Sequence, residues 1–165
     1  MRIARQTPTS AKINAQTRKD AFSVFSGKWK GKLEYRDYKT NKRVVLPVRV
    51  EVILSPDGAT LIHKAAYYGE RVDKTSVTLD LVTGNWVEDA WYTYFTAGFP
   101  AFAASKTEVL TLTGEATDDG KSAPVRQTIT VSGDDLTVLR GVRTPGSVPT
   151  SSWQFRSQWT LKRVR

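Results

Sequence analysis

The stretch SGKWKGKLEYRDY, residues 26–38, decides the fold. Trp29, Gly31, Leu33 and Tyr35 alternate with Lys28, Lys30, Lys32, Glu34 and Arg36. A period of two marks a β-strand with one buried face and one wet face. The turn KTNK, residues 39–42, leads into RVVLPVRVEVIL, where Val44, Leu46, Val48, Val50 and Val52 share a face. SPDG, residues 55–58, has Pro, Asp and Gly in tight-turn order and predicts a hairpin.

The same pattern continues through ATLIHKAAYYGE, DKTSVTLDLV, NWVEDAWYTYF, KTEVLTLTGEA, PVRQTITVSG, DLTVLRG and SWQFRSQWTLKRV, separated by TGN, DDGK and SGDD. About eight to ten short strands joined by tight turns predict an all-β protein, a single closed antiparallel up-and-down β-barrel. A parallel sheet would need intervening helices, and none is present. The one helical segment is TRKDAFSVFS, residues 17–26, whose Phe22 and Phe25 sit three apart and would plug one end of the barrel. No internal repeat is evident, which argues against a propeller. Two connections stand apart: TAGFPAFAAS, residues 96–105, is apolar with Phe99 and Phe102, and RTPGSVPTSS, residues 143–152, is long and polar. Gly98 and Pro100 interrupt regular structure in the first, which is expected to line the cavity entrance.

The chain of 165 residues has the size of one domain, and 39% hydrophobic with 25% charged residues suits a globular fold rather than wholesale disorder. The domain is expected over residues 17–165, behind a flexible basic leader at 1–16. No stretch has the length of a membrane-spanning helix. There are no cysteines, which excludes disulfides, thiolate catalysis and cysteine-based zinc sites. The first twenty residues lack the apolar core of a secretory signal. With Met1 native, a cytoplasmic protein is expected; with a signal already removed, a periplasmic or secreted one. The net charge of +9 is uneven: residues 1–43 hold 12 Lys and Arg against 3 acids, 44–139 hold 7 against 13, and 140–165 hold 6 against none.

Gly27-Lys28-Trp29, preceded by a short helix and followed by a long amphipathic strand, resembles the opening of the lipocalin and calycin superfamily. The resemblance implies that Gly27, Trp29 and Gly31 build the barrel floor. It also implies a basic residue from the end of the last strand over the Trp, Arg163 or Arg165, with Arg156 behind them. The longer form, Gly27, Trp29 and Gly31 after a helix, is similar to nitrobindin-like barrels and to many uncharacterised lipocalin-like bacterial proteins. The Thr-Asp-Tyr-like second motif of typical lipocalins is missing. Nitrobindin-like proteins hold haem through a histidine near the C-terminus; residues 134–165 contain none, so no cofactor is expected. From the residues alone, Gly31 leaves room beside Trp29 for a neighbouring large side chain.

A barrel of about eight strands encloses side chains or one small ligand. The expected inner faces carry Tyr35, His63 or its neighbour Lys64, Tyr67 or Tyr68, one register of residues 85–95, and Trp153, Phe155 and Trp159. Glu88 and Asp89 are strand neighbours on opposite faces, so one points inward: Glu88 with Trp86, Tyr92 and Tyr94, or Asp89 with Val87, Trp91 and Phe95. An inward acid among aromatics would serve as a general acid or base. Pairing with an inward Arg, or with a Gln such as Gln127, is the plainer alternative. His63, the only histidine, is a third catalytic candidate. No metal-ligand cluster, phosphate loop or nucleophile elbow is present, so no metal is expected.

Three functions fit these residues. The first is binding of a small hydrophobic or amphipathic ligand in the cavity. The second is an enzyme of cyclase or isomerase type shaping an apolar substrate there, as in some lipocalin-like barrels. The third uses the outer surface, where Lys28, Lys30, Lys32 and Arg36 are expected beside Arg156 and Lys162 as a basic stripe for an anionic partner. The stripe lacks the exposed aromatic platform that single-stranded nucleic acid would require. Nothing in the sequence signals an oligomeric state.

Overall fold

The computed structural model describes residues 14–67, 71–82, 85–89, 93–97, 108–146, 148 and 151–165, with the side chains at 71, 94, 96 and 97 outside the description. A helix, α1 (Ala15–Ser23), precedes β1 (Gly27–Arg36), β2 (Arg43–Leu54), β3 (Thr60–Tyr67), β4 (Arg71–Leu79) and β5 (Trp86–Glu88). Then follow β6 (Thr93–Ala97), β7 (Val109–Asp118), β8 (Lys121–Ser132), β9 (Asp135–Val142) and β10 (Gln154–Arg163). All strand pairs are antiparallel, in the order β1-β10-β9-β8-β7-β6-β5-β4-β3-β2. β1 pairs both β2 and β10, so the sheet is curled into a barrel-like form around one core.

The helix begins earlier than its apolar pair suggests. Asn14 caps it, its Oδ1 accepting from Thr17 N at 2.8 Å, so Ala15 and Gln16 are already helical. Residues 1–13 lie outside the described residues. Phe22 and Phe25 are buried and meet Trp86 edge to face, at 5.4 and 6.4 Å between ring centroids. Arg18 Nη1 donates to the Leu79 carbonyl at 3.0 Å and fastens the helix across the end of β4.

The same end is built around Trp29, whose Nε1 donates to the Phe25 carbonyl at 3.0 Å. Arg163, paired in register with Trp29, lies 4.1 Å over the indole ring and donates to the carbonyls of Ser26 and Val24 at 2.7 and 3.1 Å. Arg165 pairs instead with Asp134, and Arg156 with Asp118. Gly27 has φ +124°, and a Cβ there would stand 2.7 Å from Arg163 Nη1. At Gly31 a Cβ would run into the Thr160 carbonyl oxygen, so this glycine makes room for the backbone of β10, not for a large side chain.

The segment 85–95 is not one strand. β5 stops at Glu88 and β6 starts at Thr93, with Glu88 opposite Thr93 and Trp86 opposite Phe95. The break resets the alternation, and Thr93 and Phe95 are buried on the second strand. β6 ends and β7 begins at the helix end of the sheet, since Val109 pairs Thr130 near the β8–β9 turn and Asp135 pairs Lys162. Phe99 and Phe102 lie between these ends, outside the described residues, as do Trp91 and Tyr92. The side chain of Tyr94 is not described.

Candidate functional site

The interior holds a cavity of about 780 Å³, running from Phe25 at the helix end to Tyr38, Asp118 and Arg156 at the far end. That volume lies within the range of small-molecule sites. Its wall is largely aliphatic, with Val50, Leu61, Val77, Ile129 and Leu161 among the contributors. Tyr35, His63, Tyr67, Trp86, Glu88 and Gln127 line it as well. His63 therefore takes the inward place on β3 and Lys64 the alternate one, in register with Glu51 and Lys74. Tyr67 lines the cavity at the end of β3; Tyr68 lies outside the described residues.

Phe155 does not line the cavity. A β-bulge between Phe155 and Ser157 shifts the alternation by one residue, so that Arg156, Ser157, Trp159 and Leu161 border the interior. Phe155 lies 4.0 Å beneath the guanidinium of Arg43 instead. Trp153, expected inside, packs against Arg143 at 3.9 Å and Arg126 at 5.2 Å. The same bulge removes Arg156 from the basic stripe. Arg36 also borders the cavity, so what remains of the stripe is Lys28, Lys30 and Lys32, exposed on β1, with Lys162 on β10. Lys30 stands in register with Arg49 on β2 and with Lys162, the last paired with Asp135 at 3.1 Å.

Between Glu88 and Asp89, Glu88 is the inward acid. Asp89 turns to the opposite side and accepts from Ser76 N at 2.7 Å and Ser76 Oγ at 3.0 Å. Glu88 is held by three donors: Trp86 Nε1 at 3.0 Å, Gln127 Nε2 at 2.8 Å and Arg140 Nη2 at 2.8 Å. Arg140 also donates to Gln127 Oε1 from Nε at 3.1 Å and Nη2 at 2.8 Å, and to Thr93 Oγ1 from Nη1 at 3.2 Å. A polar belt thus crosses an apolar interior with its donors and acceptors matched, the condition under which buried charge is tolerated. Glu88 is the paired acid of the plainer alternative and not an isolated acid among aromatics.

Arg140 and Thr93 were not anticipated from the sequence. The signal for Arg140 was present: Leu136, Val138, Arg140 and Val142 keep one alternation and all line the cavity. A second cluster occupies the far end. Arg156 sets Nε 2.8 Å and Nη2 2.9 Å from the Asp118 carboxylate, Tyr38 Oη donates to Asp118 Oδ1 at 2.7 Å, and Arg156 lies 4.2 Å over the Tyr38 ring.

His63 behaves differently from the belt. Its imidazole makes no hydrogen bond to any described residue, and burial lowers its pKa from the ordinary value of 6.5, opposed by the negative charge of Glu88 and Asp89. Tyr67 is pushed up to about 12, by burial and then by the nearby Asp73. Tyr38 is also raised, by burial and by its bond to Asp118. Among the described residues no group of three or more His, Asp or Glu could hold a metal ion, and no helix is long and apolar enough to cross a membrane.

Fold and site together define a β-barrel-like protein with an interior cavity crossed by one matched polar belt. No family model matches the sequence, and no curated protein matches it. Among solved structures, the chain is similar to a protein with unknown function from the DUF3598 family of Nostoc punctiforme. The identity is 14% and the TM-score 0.44, over 87% of this chain and 49% of that one. The chain therefore spans about half the length of that neighbour.

Proposed function

We propose that the protein binds one small hydrophobic or amphipathic molecule inside a closed, lipocalin-like barrel. In this reading α1 and Trp29 form the floor, and the Tyr38, Asp118 and Arg156 end is the mouth. The observation that carries it is the cavity of about 780 Å³ with a mainly aliphatic wall. A core meant only for stability would be filled, because interiors pack to crystal density and voids are destabilising. Pairing of β1 with β10, from Trp29–Arg163 to Tyr35–Ser157, supports closure of the sheet. Apolar ligand surface removed from water would supply the affinity, at roughly 25 cal/mol per Å².

The test is titration with the neutral dye N-phenylnaphthylamine, followed by dye emission and tryptophan quenching. Saturation at one dye per chain, insensitive to salt, is the expected result. Ala65→Phe, which fills the middle of the cavity from β3, is expected to abolish binding while the thermal transition remains cooperative. Dye binding that does not saturate, or that survives Ala65→Phe unchanged, refutes the reading. Steep weakening by salt would place the interaction on the Lys30, Arg49 and Lys162 face instead.

A further inference from the structure

We infer that the molecule held in the cavity is electrically neutral and presents one oxygen, a hydroxyl or a carbonyl, to His63. The inference rests on the cavity-binding reading above and deepens it.

Apart from Arg36 at the far end, the charges that reach the interior are engaged with partners. Glu88 and Arg140 face each other at 2.8 Å, and Gln127, Trp86 and Thr93 take up the bonds they have left. Asp118 and Arg156 form the second pair at 2.8 Å, and Asp73 is likewise not free. An ionised guest entering mid-cavity would leave water and find each mid-cavity counter-charge already occupied, which strongly disfavours it. At mid-cavity the groups still open are neutral. His63 makes no hydrogen bond to a described residue, although it lines the cavity between Leu61 and Ala65 on its own strand. The ring is half-buried and faces the cavity, so this imidazole marks where a guest's polar atom is best received.

The protonation state suits that role. Burial holds the ring toward its neutral form, which carries one N–H donor and one lone pair. It can donate to a carbonyl or accept from a hydroxyl. The aliphatic side chains of Val50, Leu61 and Val77 would then take the guest's apolar body. The competing arrangement is a carboxylate at Arg36, which borders the far end with no acidic partner among the described residues.

Displacement of bound N-phenylnaphthylamine at neutral pH by decanol, decanoate and decylamine separates these cases. Decanol is expected to compete at least about tenfold better than either ion, which finds no free counter-charge at mid-cavity. In His63→Leu decanol's affinity relative to the dye's is expected to fall about three- to tenfold, the value of one net hydrogen bond; in His63→Gln, which retains a donor and an acceptor, it persists. Decanol binding unchanged in His63→Leu overturns the inference, as does a preference for decanoate that is lost in Arg36→Ala. In both of those outcomes the dye still saturates the cavity, whereas failure of the wild-type protein to bind dye at all overturns the cavity reading and this inference with it.

Discussion

Arg140 on β9 places its Nη2 2.8 Å from Oε2 of Glu88 on β5, although β8, β7 and β6 lie between the two strands in the sheet. The contact therefore crosses the interior and ties opposite walls together. Both side chains are nearly withdrawn from solvent, at 13% and 12% exposure.

Removing one member of that pair leaves the other buried and unmatched. Arg140→Met is expected to destabilise the protein by about 3–5 kcal/mol, and Glu88→Gln by less because the amide keeps an acceptor for Arg140. Urea unfolding of the two single variants and the double variant gives the coupling. A coupling energy of about 1 kcal/mol or more is expected for groups in one network. Additive losses would mean that the belt does not act as a unit.

Much of this architecture was legible in the chain, and the misses have physical causes. Period-two patterning carried the strand assignments because one face of each strand is apolar, and Gly27-Lys28-Trp29 marked the helix end. The pattern failed where the backbone broke phase. The bulge at Phe155 and Ser157 turned Phe155 out and Arg156 in, and the break after Glu88 separated the registers of β5 and β6. Neither interruption has a glycine or proline to announce it. Arg140 was missed for a different reason: an inward arginine is improbable by composition, and only its partners, distant in sequence at positions 88, 93 and 127, make it tolerable.

The floor makes a separate prediction. Arg163 contributes a ring contact to Trp29 and two bonds to carbonyls that no strand partner satisfies. Arg163→Met keeps the aliphatic cover and removes all three, for an expected loss of about 2–4 kcal/mol. Gly31→Ala is expected to cost about 1–3 kcal/mol by forcing β10 away from β1. Denaturant midpoints check both, and a Gly31→Ala variant as stable as wild type would contradict the close approach of the two strands.

His63 should leave a mark on stability as a function of pH. Its folded pKa lies below the unfolded value of 6.5, so the unfolded chain binds the proton more readily. The contribution is complete above that value and is lost as pH falls from there through the folded pKa. Wild-type urea midpoints should decline over this window, whereas His63→Gln should stay flatter until carboxylates begin to protonate. Asp37 and Asp57, lowered by the hydrogen bonds of their turns, act only below about 3.8 and do not confuse the window. Parallel curves for the two proteins would place His63 in water.

The far-end cluster governs exchange rather than affinity if it stands at the mouth. Tyr38 belongs to the β1–β2 turn and Asp118 to the end of β7, with β10, β9 and β8 between them, so their 2.7 Å hydrogen bond spans a large arc of the sheet's rim. Tyr38→Phe deletes that bond and leaves the Asp118–Arg156 pair in place. Because the hydroxyl is engaged with Asp118 at the far end, the dye's equilibrium affinity should change by less than about twofold. Its association and dissociation rates should both rise, since the bond opens before the guest passes and closes behind it. Stopped-flow mixing with N-phenylnaphthylamine measures both rates. Rates that match wild type would show that ligand enters elsewhere, whereas a rise in dissociation alone would mean that Tyr38 holds the guest directly.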